Sequence, residues 1–345
     1  MSPEETPLLR DKALPRAVVN TTATASAGPS PGPQLPLNIG HRGYKAAFPE
    51  NSMPAFEGAV AAGAHALETD VHLSRDGVVV LSHDPTLKRC FALDARIADC
   101  DWAYLSTLQS VREPRAGMPR LADLLVWLGG DAALDAVWVL LDIKTDDDPE
   151  LLLPAIARTI EGVGVREGAG WKWRERVMLG GWNETYINHA RLHLPNFPLA
   201  YIGFSLPHAY KFLSDDQPGV HFNLLQATQV GPLGARFRRE ARRRGRRIFV
   251  WTVNDEGWME WCVRKGLDGV ITDDVGRFGE VRDRFLVAEE EAARGGVSWP
   301  RTIKLYAKAI LLQGLALVFS VLLWHRLSGR RGKSKSNGRA EADKP

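Results

Sequence analysis

The chain has 345 residues, of which 45% are hydrophobic and 25% are charged, so it is long and apolar enough for a globular domain with a sizeable core. Seven basic and two acidic residues lie from Arg326 onward, so the rest of the chain is nearly neutral although the formal net charge is +3. That distribution argues against a nucleic-acid-binding domain, which carries its positive charge on the folded part. The three cysteines, Cys90, Cys100 and Cys262, form no CxxC motif and cannot all pair, which predicts a reducing compartment without a disulfide framework.

Residues 1–37 are rich in Pro, Ser, Thr and Ala and show no apolar periodicity. This composition predicts a disordered leader, because such a segment cannot bury enough apolar surface to fold. It also lacks the apolar stretch of a secretory signal.

Residues 38–285 alternate short β-rich runs with amphipathic, helix-like stretches. This alternation, sustained over about 250 residues, predicts an α/β fold of the (β/α)₈ TIM-barrel type. Nine runs resemble strands, however, and "ETDVHL" is separated from "VVVLSHD" by too few residues for a parallel crossover. We therefore expect these two runs to form a hairpin, or one of the nine to lie outside the barrel.

Residues 85–119 are irregular and interrupt the pattern, so we interpret them as an insertion within the catalytic domain. Two interpretations stay open: a surface loop, or a lid or collar beside the substrate.

The segment 309–324, "AILLQGLALVFSVLLW", has only two polar side chains, Gln313 and Ser320. As a helix its sixteen residues would span roughly 24 Å. A full bilayer crossing needs ~20 residues, so the segment is somewhat short. We expect a hydrophobic anchor helix for a membrane or lipid droplet, preceded by a linker at 286–308 and followed by a basic disordered tail at 325–345. A helix packed on the barrel is the alternative. An anchor of this length fits the endoplasmic reticulum, the mitochondrial outer membrane or a lipid droplet, with the catalytic domain in the cytosol.

Polar side chains close most of the strand-like runs. In a TIM barrel the active site lies at the carboxyl ends of the strands, so we expect these side chains to meet there. Each taken alone has a structural explanation, such as a buried histidine or a helix cap, but their convergence indicates catalysis. In chain order they are His41, Arg42, Glu68, Asp70, His83, Asp84, Asp142, Lys144, Trp251, Asn254, Thr272 and Asp273.

The residue types also fit one chemistry. Glu68, Asp70 and Asp142 are hard oxygen ligands suited to one divalent cation, Mg²⁺ or Ca²⁺, and the first two lie two residues apart on one strand and so share a face. His41 and His83 offer a base and an acid that titrate near neutral pH.

Positive charge and an apolar wall complete the set. Arg42 and Lys144 would neutralise the charge that develops on a phosphate, and Trp251 offers a flat surface to a glycerol or lipid moiety. The sequence therefore predicts metal-assisted cleavage of a phosphodiester.

The motifs "GHRG", "PENS", "ETDVHLSRDGVVVLSHD", "LLDIK", "WTVN" and "DGVITDD" resemble those of the glycerophosphodiester phosphodiesterase family over residues 38–280. Many members of that family have a glutamate where this chain has Asp142, so the third carboxylate reaches less far here. The resemblance implies an acid–base pair (His41, His83), phosphate-contacting cations (Arg42, Lys144), metal ligands (Glu68, Asp70, Asp142) and orienting residues (Glu50, Asn51, Asp84).

Within the family, "HRGYKAAFPEN", "DIK", "GGW" and the hydrophobic C-terminal segment are most similar to fungal phospholipases C that act on phosphatidylglycerol. This similarity implies hydrolysis of an anionic glycerophospholipid to diacylglycerol and glycerol 3-phosphate. Two alternatives stay open: an anchored phosphodiesterase for soluble deacylated diesters, and a non-catalytic lipid-binding barrel. No nucleic-acid partner is expected, and protein partners cannot be inferred.

Overall fold

The computed structural model describes residues 35–292. Eight parallel strands form a closed barrel, because the first strand pairs with both the second and the last. The nine strands in chain order are β1 (Leu37–His41), β2 (Ala66–Leu73), β3 (Val79–Leu81), β4 (Trp138–Ile143), β5 (Val177–Gly181), β6 (Leu199–Gly203), β7 (Val220–Leu225), β8 (Ile248–Trp251) and β9 (Gly269–Thr272). The expected TIM-barrel class is confirmed.

Helices surround the barrel. In chain order they are α1 (Met53–Ala61), α2 (Lys88–Phe91), α3 (Trp102–Leu105), α4 (Leu121–Gly130), α5 (Pro149–Val163), α6 (Glu184–His193), α7 (Leu206–Lys211), α8 (Gly231–Arg243), α9 (Glu256–Arg264) and α10 (Val275–Ala292). Several begin at a polar cap that follows a strand: the side chains of Ser52, Asp148 and Asp255 each accept a backbone N–H of the first turn. These caps turn the chain back along the barrel soon after each strand end.

The ninth strand-like run lies outside the barrel. Strand β3 pairs antiparallel with β2, with Val71 opposite Leu81, while β2 continues into the barrel beside β4. The hairpin expected from the short connection is therefore present, and it carries the His83 region to the edge of the barrel mouth.

Residues 85–119, which we call the collar, are packed rather than a loose surface loop. Buried apolar side chains give the collar a small core of its own, with Val80 of β3 beneath it. Arg112 also fastens the collar to the loop after β1, since it donates to the backbone carbonyls of Lys45, Ala46 and Phe48. The buried members of the core are Val80, Leu87, Ile97, Leu105, Leu108 and Met118.

Strand alternation places the site above an apolar floor. Ile39, Leu140 and Phe249 belong to a buried cluster inside the barrel. Two residues farther along the same strands lie His41, Asp142 and Trp251, which share the inward face because strand side chains alternate. The inward residues of these strands are apolar first and polar at the end. The barrel interior is therefore filled with apolar side chains, and its mouth is polar.

Helix α10 continues to Ala292, past residue 285, where the catalytic domain was expected to end, and into the segment 286–308 that was expected to be a linker. Residues 286–292 contain good helix formers and no Gly or Pro, so nothing in them breaks the helix.

The expected anchor at 309–324, the tail at 325–345 and almost all of the leader lie outside the described residues. Between residues 35 and 292, no helix combines the length and the apolar character needed to cross a membrane.

Candidate active site

His41 ends β1 and is held by the last barrel strand. Its Nδ1 lies 2.5 Å from Oδ1 of Asp273, which follows β9, and its Nε2 lies 4.0 Å from Glu68. The ionised carboxylate accepts a hydrogen bond from Nδ1–H, so the neutral ring carries its proton on Nδ1 and presents the Nε2 lone pair to the site. Burial lowers the pKa of His41, and Asp273 partly offsets that effect. Burial acts to raise the pKa of Asp273, but the hydrogen bond from His41, the charges of His41 and Lys45 and the hydrogen bond from Asn254 together outweigh it and bring that pKa to about 2.

His83 has a different setting. It follows β3, and its side chain is 35% exposed, against 11% for that of His41. Its Nδ1 lies 2.7 Å from Oδ1 of the adjacent Asp84, whose other oxygen accepts from Nε of Arg89 at 2.7 Å. Arg89, a collar residue, also donates both terminal nitrogens to Glu50.

Glu50 and Asn51 organise the loop after β1. Glu50 accepts from Arg42 at 2.8 Å as well as from Arg89, so the two arginines share one carboxylate. Burial alone would raise the pKa of Glu50, but these arginines hold it at about 2. Asn51 donates to Asp70 and accepts from Thr69.

Arg42 and Asn51 both have positive φ, 56° and 51°, and the N–H of Asn51 bonds to the carbonyl of Arg42. A non-glycine residue in this region costs free energy and is retained where surrounding contacts require it. Here the backbone turn directs the Arg42 N–H to Glu68 at 3.0 Å and its side chain to Glu50 and Asp70.

Glu68, Asp70 and Asp142 form a buried cluster, with one oxygen of each within 4.8 Å of the others. The strand register explains the cluster, because Asp70 is paired with Asp142 across β2 and β4. Burial and the two neighbouring carboxylates raise the pKa of Glu68. Asp142 still reaches the cluster despite its shorter side chain, and the Trp182 indole N–H donates to it at 2.7 Å.

Two cations face the three carboxylates. Lys144 Nζ lies 2.7 Å from Asp70 and 2.6 Å from Asp142, and Arg42 Nε lies 3.2 Å from Asp70. Burial disfavours the charged form of Lys144, yet Asp142 and Asp70 raise its pKa. Three carboxylates and two cations leave an excess of negative charge in a buried site. Hard oxygen donors with this excess fit a divalent cation, but the donor set does not distinguish Mg²⁺ from Ca²⁺.

The metal candidates line a cavity of about 100 Å³ together with both histidines. One wall is aromatic: Trp182 and Trp251 meet edge to face with their ring centroids 5.7 Å apart. The Trp251 indole N–H donates to the carbonyl of Asn223, which fixes this ring. The cavity lining comprises His41, Arg42, Glu68, His83, Asp142, Lys144, Trp182, Ile202, Asn223, Trp251, Thr252 and Ile271.

The structure thus brings together every side chain that the sequence placed in the site, while their roles in catalysis stay predictions. Asp273 and Asn254 were recognised only as strand-end residues, but Asn254 bonds to both Asp273 and Thr272. Arg89 was missed, because it lies in a segment without periodicity and its partners Glu50 and Asp84 are recognisable only in three dimensions.

Comparison with known proteins agrees with this geometry. Residues 41–277, more than half of the chain, match the model of the glycerophosphoryl diester phosphodiesterase family. A glycerophosphodiester phosphodiesterase of Caldanaerobacter subterraneus subsp. tengcongensis is 25% identical over 254 residues, covering 69% of this chain and 94% of the relative.

Solved structures share the fold. A glycerophosphoryl diester phosphodiesterase assigned in Silicibacter pomeroyi superposes with a TM-score of 0.63 at 22% identity, over 73% of this chain and 95% of that one. An Oleispira antarctica phosphodiesterase in complex with the product sn-glycerol-3-phosphate gives 0.60 at 20% identity, over 72% and 97%. With the matching family model and the assembled site, these likenesses show that the chain belongs to the glycerophosphoryl diester phosphodiesterase family and is a phosphoric diester hydrolase.

Proposed function

We propose that this hydrolase cleaves phosphatidylglycerol to diacylglycerol and glycerol 3-phosphate, a reaction of the phospholipase C type. The observation that carries the proposal is the pair of histidines, each with Nδ1 against a carboxylate, in one cavity with three further carboxylates. Two Nε2 atoms at one mouth can receive one proton and deliver another, which is what an internal attack by a neighbouring hydroxyl requires.

The glycerol head group provides that hydroxyl. Its 2-hydroxyl attacks phosphorus while one histidine takes its proton, and the other histidine gives a proton to the departing oxygen of diacylglycerol. One P–O bond forms and one breaks, leaving a five-membered cyclic phosphate. Water then opens the ring with the two histidines in reversed roles, and glycerol 3-phosphate is released.

Arg42 and Lys144 lie where they would stabilise the charge that grows on phosphate. Glu68, Asp70 and Asp142 would hold the divalent cation, which supplies Lewis-acid polarisation of the phosphate oxygens when bound. Trp182 and Trp251 shield the site from water on one side and offer an apolar surface to the glycerol carbons.

The related Oleispira phosphodiesterase is in complex with the product sn-glycerol-3-phosphate, which supports release of glycerol phosphate from either a lipid or a soluble diester. One feature of the sequence favours the lipid. The apolar segment 309–324 would attach the enzyme to a membrane or lipid droplet, where an anionic glycerophospholipid is at hand, and would leave the catalytic domain in the cytosol.

A soluble diester is the second candidate. The Caldanaerobacter relative that matches over 94% of its length is named for glycerophosphodiesters rather than for a phospholipid. The same side chains would act on either substrate. A non-catalytic lipid-binding barrel is disfavoured because both histidines and all three carboxylates are present.

The test is a direct competition. Full-length protein in detergent micelles receives phosphatidylglycerol and glycerophosphoglycerol with Mg²⁺ or Ca²⁺, and diacylglycerol and glycerol 3-phosphate are followed. We expect diacylglycerol release that stops in His41→Ala and after chelation, and little turnover of phosphatidylcholine, whose head group lacks the attacking hydroxyl. Turnover of glycerophosphoglycerol alone would reject the lipid reaction in favour of the soluble one.

A further inference from the structure

A second cavity lies between the barrel mouth and the collar. It has a volume of about 190 Å³, larger than the cavity that contains the metal candidates. Much of its wall is apolar and comes from β3 and from three parts of the collar. The apolar and small residues that line it include Leu81, Phe91, Val111, Ala116 and Gly117.

The two cavities share a single side chain. His83 lines both of them, whereas His41, Glu68 and Asp142 line only the first. Small-molecule pockets generally begin at roughly 300 Å³, a size that neither cavity reaches alone and that the two together approach. A third cavity, of about 610 Å³, shares Trp182 with the first one, but of these two neighbours only the second cavity contains a proposed catalytic residue, His83. A diester whose phosphate lies in the first cavity can place its leaving group beyond His83, in the second cavity.

The wall of the second cavity is held in place. Arg112 bonds to three carbonyls of the loop after β1, and the N–H of Val111 bonds to the carbonyl of Cys90. The hydroxyl of Ser110 accepts the N–H of Ala116, which ties two segments of the collar together. The shape of the cavity is thus set before any ligand enters.

The cavity suits an uncharged group. Two arginines line it, and both are engaged. Arg89 donates Nε to Asp84 and both terminal nitrogens to Glu50, and Arg112 donates to backbone carbonyls. A second phosphate would have to displace these carboxylates. An alcohol with apolar carbons would displace nothing.

We propose that the second cavity binds the carbon skeleton of the leaving alcohol. This inference rests on the cleavage reaction proposed above and assigns the two ends of the diester: His83, which lines both cavities, is then the histidine beside the departing oxygen. As the hydroxyl attacks phosphorus, His41 takes its proton, and the proton on Nε2 of His83 passes to the departing oxygen as its bond to phosphorus breaks. In the second step His83 takes a proton from the attacking water, and His41 returns its proton to the glycerol oxygen as the cyclic phosphate opens.

Gly117 gives a way to fill this cavity. A Cβ built there would meet its nearest atoms at 3.6 and 3.7 Å, which is ordinary contact, and the residue is exposed. Gly117→Phe therefore adds bulk without forcing the backbone. Val111→Glu is a second variant: Val111 is 52% exposed, so a charge there alters the lining but not the fold.

The substrates are alkyl esters of sn-glycerol 3-phosphate with one, four or eight carbons in the leaving alcohol, used below micellar concentration. The measured quantity is the ratio of kcat/KM for the octyl ester to that for the methyl ester. We expect this ratio to exceed one in the natural protein and to fall at least tenfold in Gly117→Phe and in Val111→Glu. A ratio independent of chain length, or one that neither variant lowers, would overturn the proposal.

Two control variants are matched to these changes. Gly162 in α5 has no atom within 4 Å of a built Cβ, and Val126 in α4 is 60% exposed, and neither lines the cavity. Gly162→Phe and Val126→Glu should keep the natural ratio. Because the series is soluble, the test does not depend on phosphatidylglycerol: failure to cleave that lipid would reject the proposed function and leave the ratio measurable.

Discussion

The two histidines of the site are held in opposite ways. His41 lies on a barrel strand, is buried, and depends on Asp273, a residue 232 positions away. His83 lies on a hairpin outside the barrel, is more exposed, and depends on Asp84, its neighbour in the chain. One of the two histidines proposed for catalysis therefore belongs to the barrel itself. The other belongs to an addition that can change without altering the barrel.

The losses of kcat/KM on replacing His41 and on replacing His83 should differ most with a substrate whose leaving group needs no acid. His41→Ala should lose roughly 10³–10⁴-fold in kcat/KM with every substrate, because general acid–base groups contribute on this scale. His83→Ala should lose a similar factor with an alkyl leaving group but at most about tenfold with p-nitrophenol, which departs without a proton. The measurement is kcat/KM for both variants with a p-nitrophenyl and a methyl diester of glycerol phosphate. Equal losses in both variants would place no acid at His83.

Replacing the carboxylate beside each histidine should likewise cost more activity at His41 than at His83. Asp273→Asn preserves the shape but can donate to Nδ1 of His41, which moves the ring proton to Nε2 and removes the lone pair needed there. We expect a loss of about 10³-fold, on the scale of an equivalent change in serine-protease triads. Asp84→Asn should lose only about tenfold, since His83 is exposed and water can replace the amide. Steady-state kinetics with both variants tests this, and a greater loss in Asp84→Asn would reverse the comparison.

Arg89 connects the environment of His83 to the loop after β1. It bonds to Asp84, the partner of His83, and to Glu50, which bonds to Arg42. Arg89→Ala should lower kcat about tenfold through misplacement of His83, and Arg89→Lys should recover little of it because lysine lacks the planar fork. The NMR chemical shifts of the His83 ring should change in both variants, a readout that simple loss of stability would not produce.

A matched control for Arg89 lies in the same part of the structure. Arg75 makes a similar two-nitrogen contact with Asp101, but on the exposed surface. Arg75→Ala should leave both kcat and the NMR chemical shifts of the His83 ring unchanged. An equal effect of the two substitutions would show that Arg89 acts only by stabilising the collar.

The smallest predicted effect is on stability, and it comes from buried histidines that lie outside the candidate active site. Nδ1 of His65 accepts the N–H of Asn38, and Nδ1 of His221 accepts that of Arg247, so these rings are held neutral. Burial lowers their pKa values to about 4 and about 3. Below pH 6.5 the unfolded chain binds protons that the folded chain does not, so the free energy of unfolding should fall as the pH drops from 6.5 toward 4.

The slope of that fall should be about 1.4 kcal/mol per pH unit for each histidine. His221→Asn keeps an acceptor for the Arg247 N–H and removes the titration, so urea unfolding between pH 7 and pH 5 should show a shallower slope. Activity at pH 7 should stay near that of the natural protein. An unchanged slope would mean that the His221 ring is already protonated in the fold.

Periodicity and local motifs were sufficient for the barrel, the hairpin and the strand-end side chains. They work because strand alternation and chain direction fix where each inward residue lies. Asp142 and Glu68 could be placed in one cluster on that basis alone.

Other contacts lay beyond the sequence. Asp273 could be seen at a strand end, but its bond to His41 depends on barrel closure. Arg89 and Arg112 lie in a segment whose conformation is set by tertiary contacts rather than by any repeat. Helix α10 continues past residue 285 because the sequence there has no Gly or Pro to end it.

Closure of the barrel also has a consequence for synthesis on the ribosome. Strand β1 is translated early and β9 late, yet they are hydrogen-bonded neighbours. A nascent chain cannot pair His41 with Asp273 until the whole barrel has emerged, because His41 ends the first strand and Asp273 directly follows the last one. We therefore expect hydrolytic activity to appear only late in synthesis. A chain that ends before residue 273 would lack the carboxylate that holds His41.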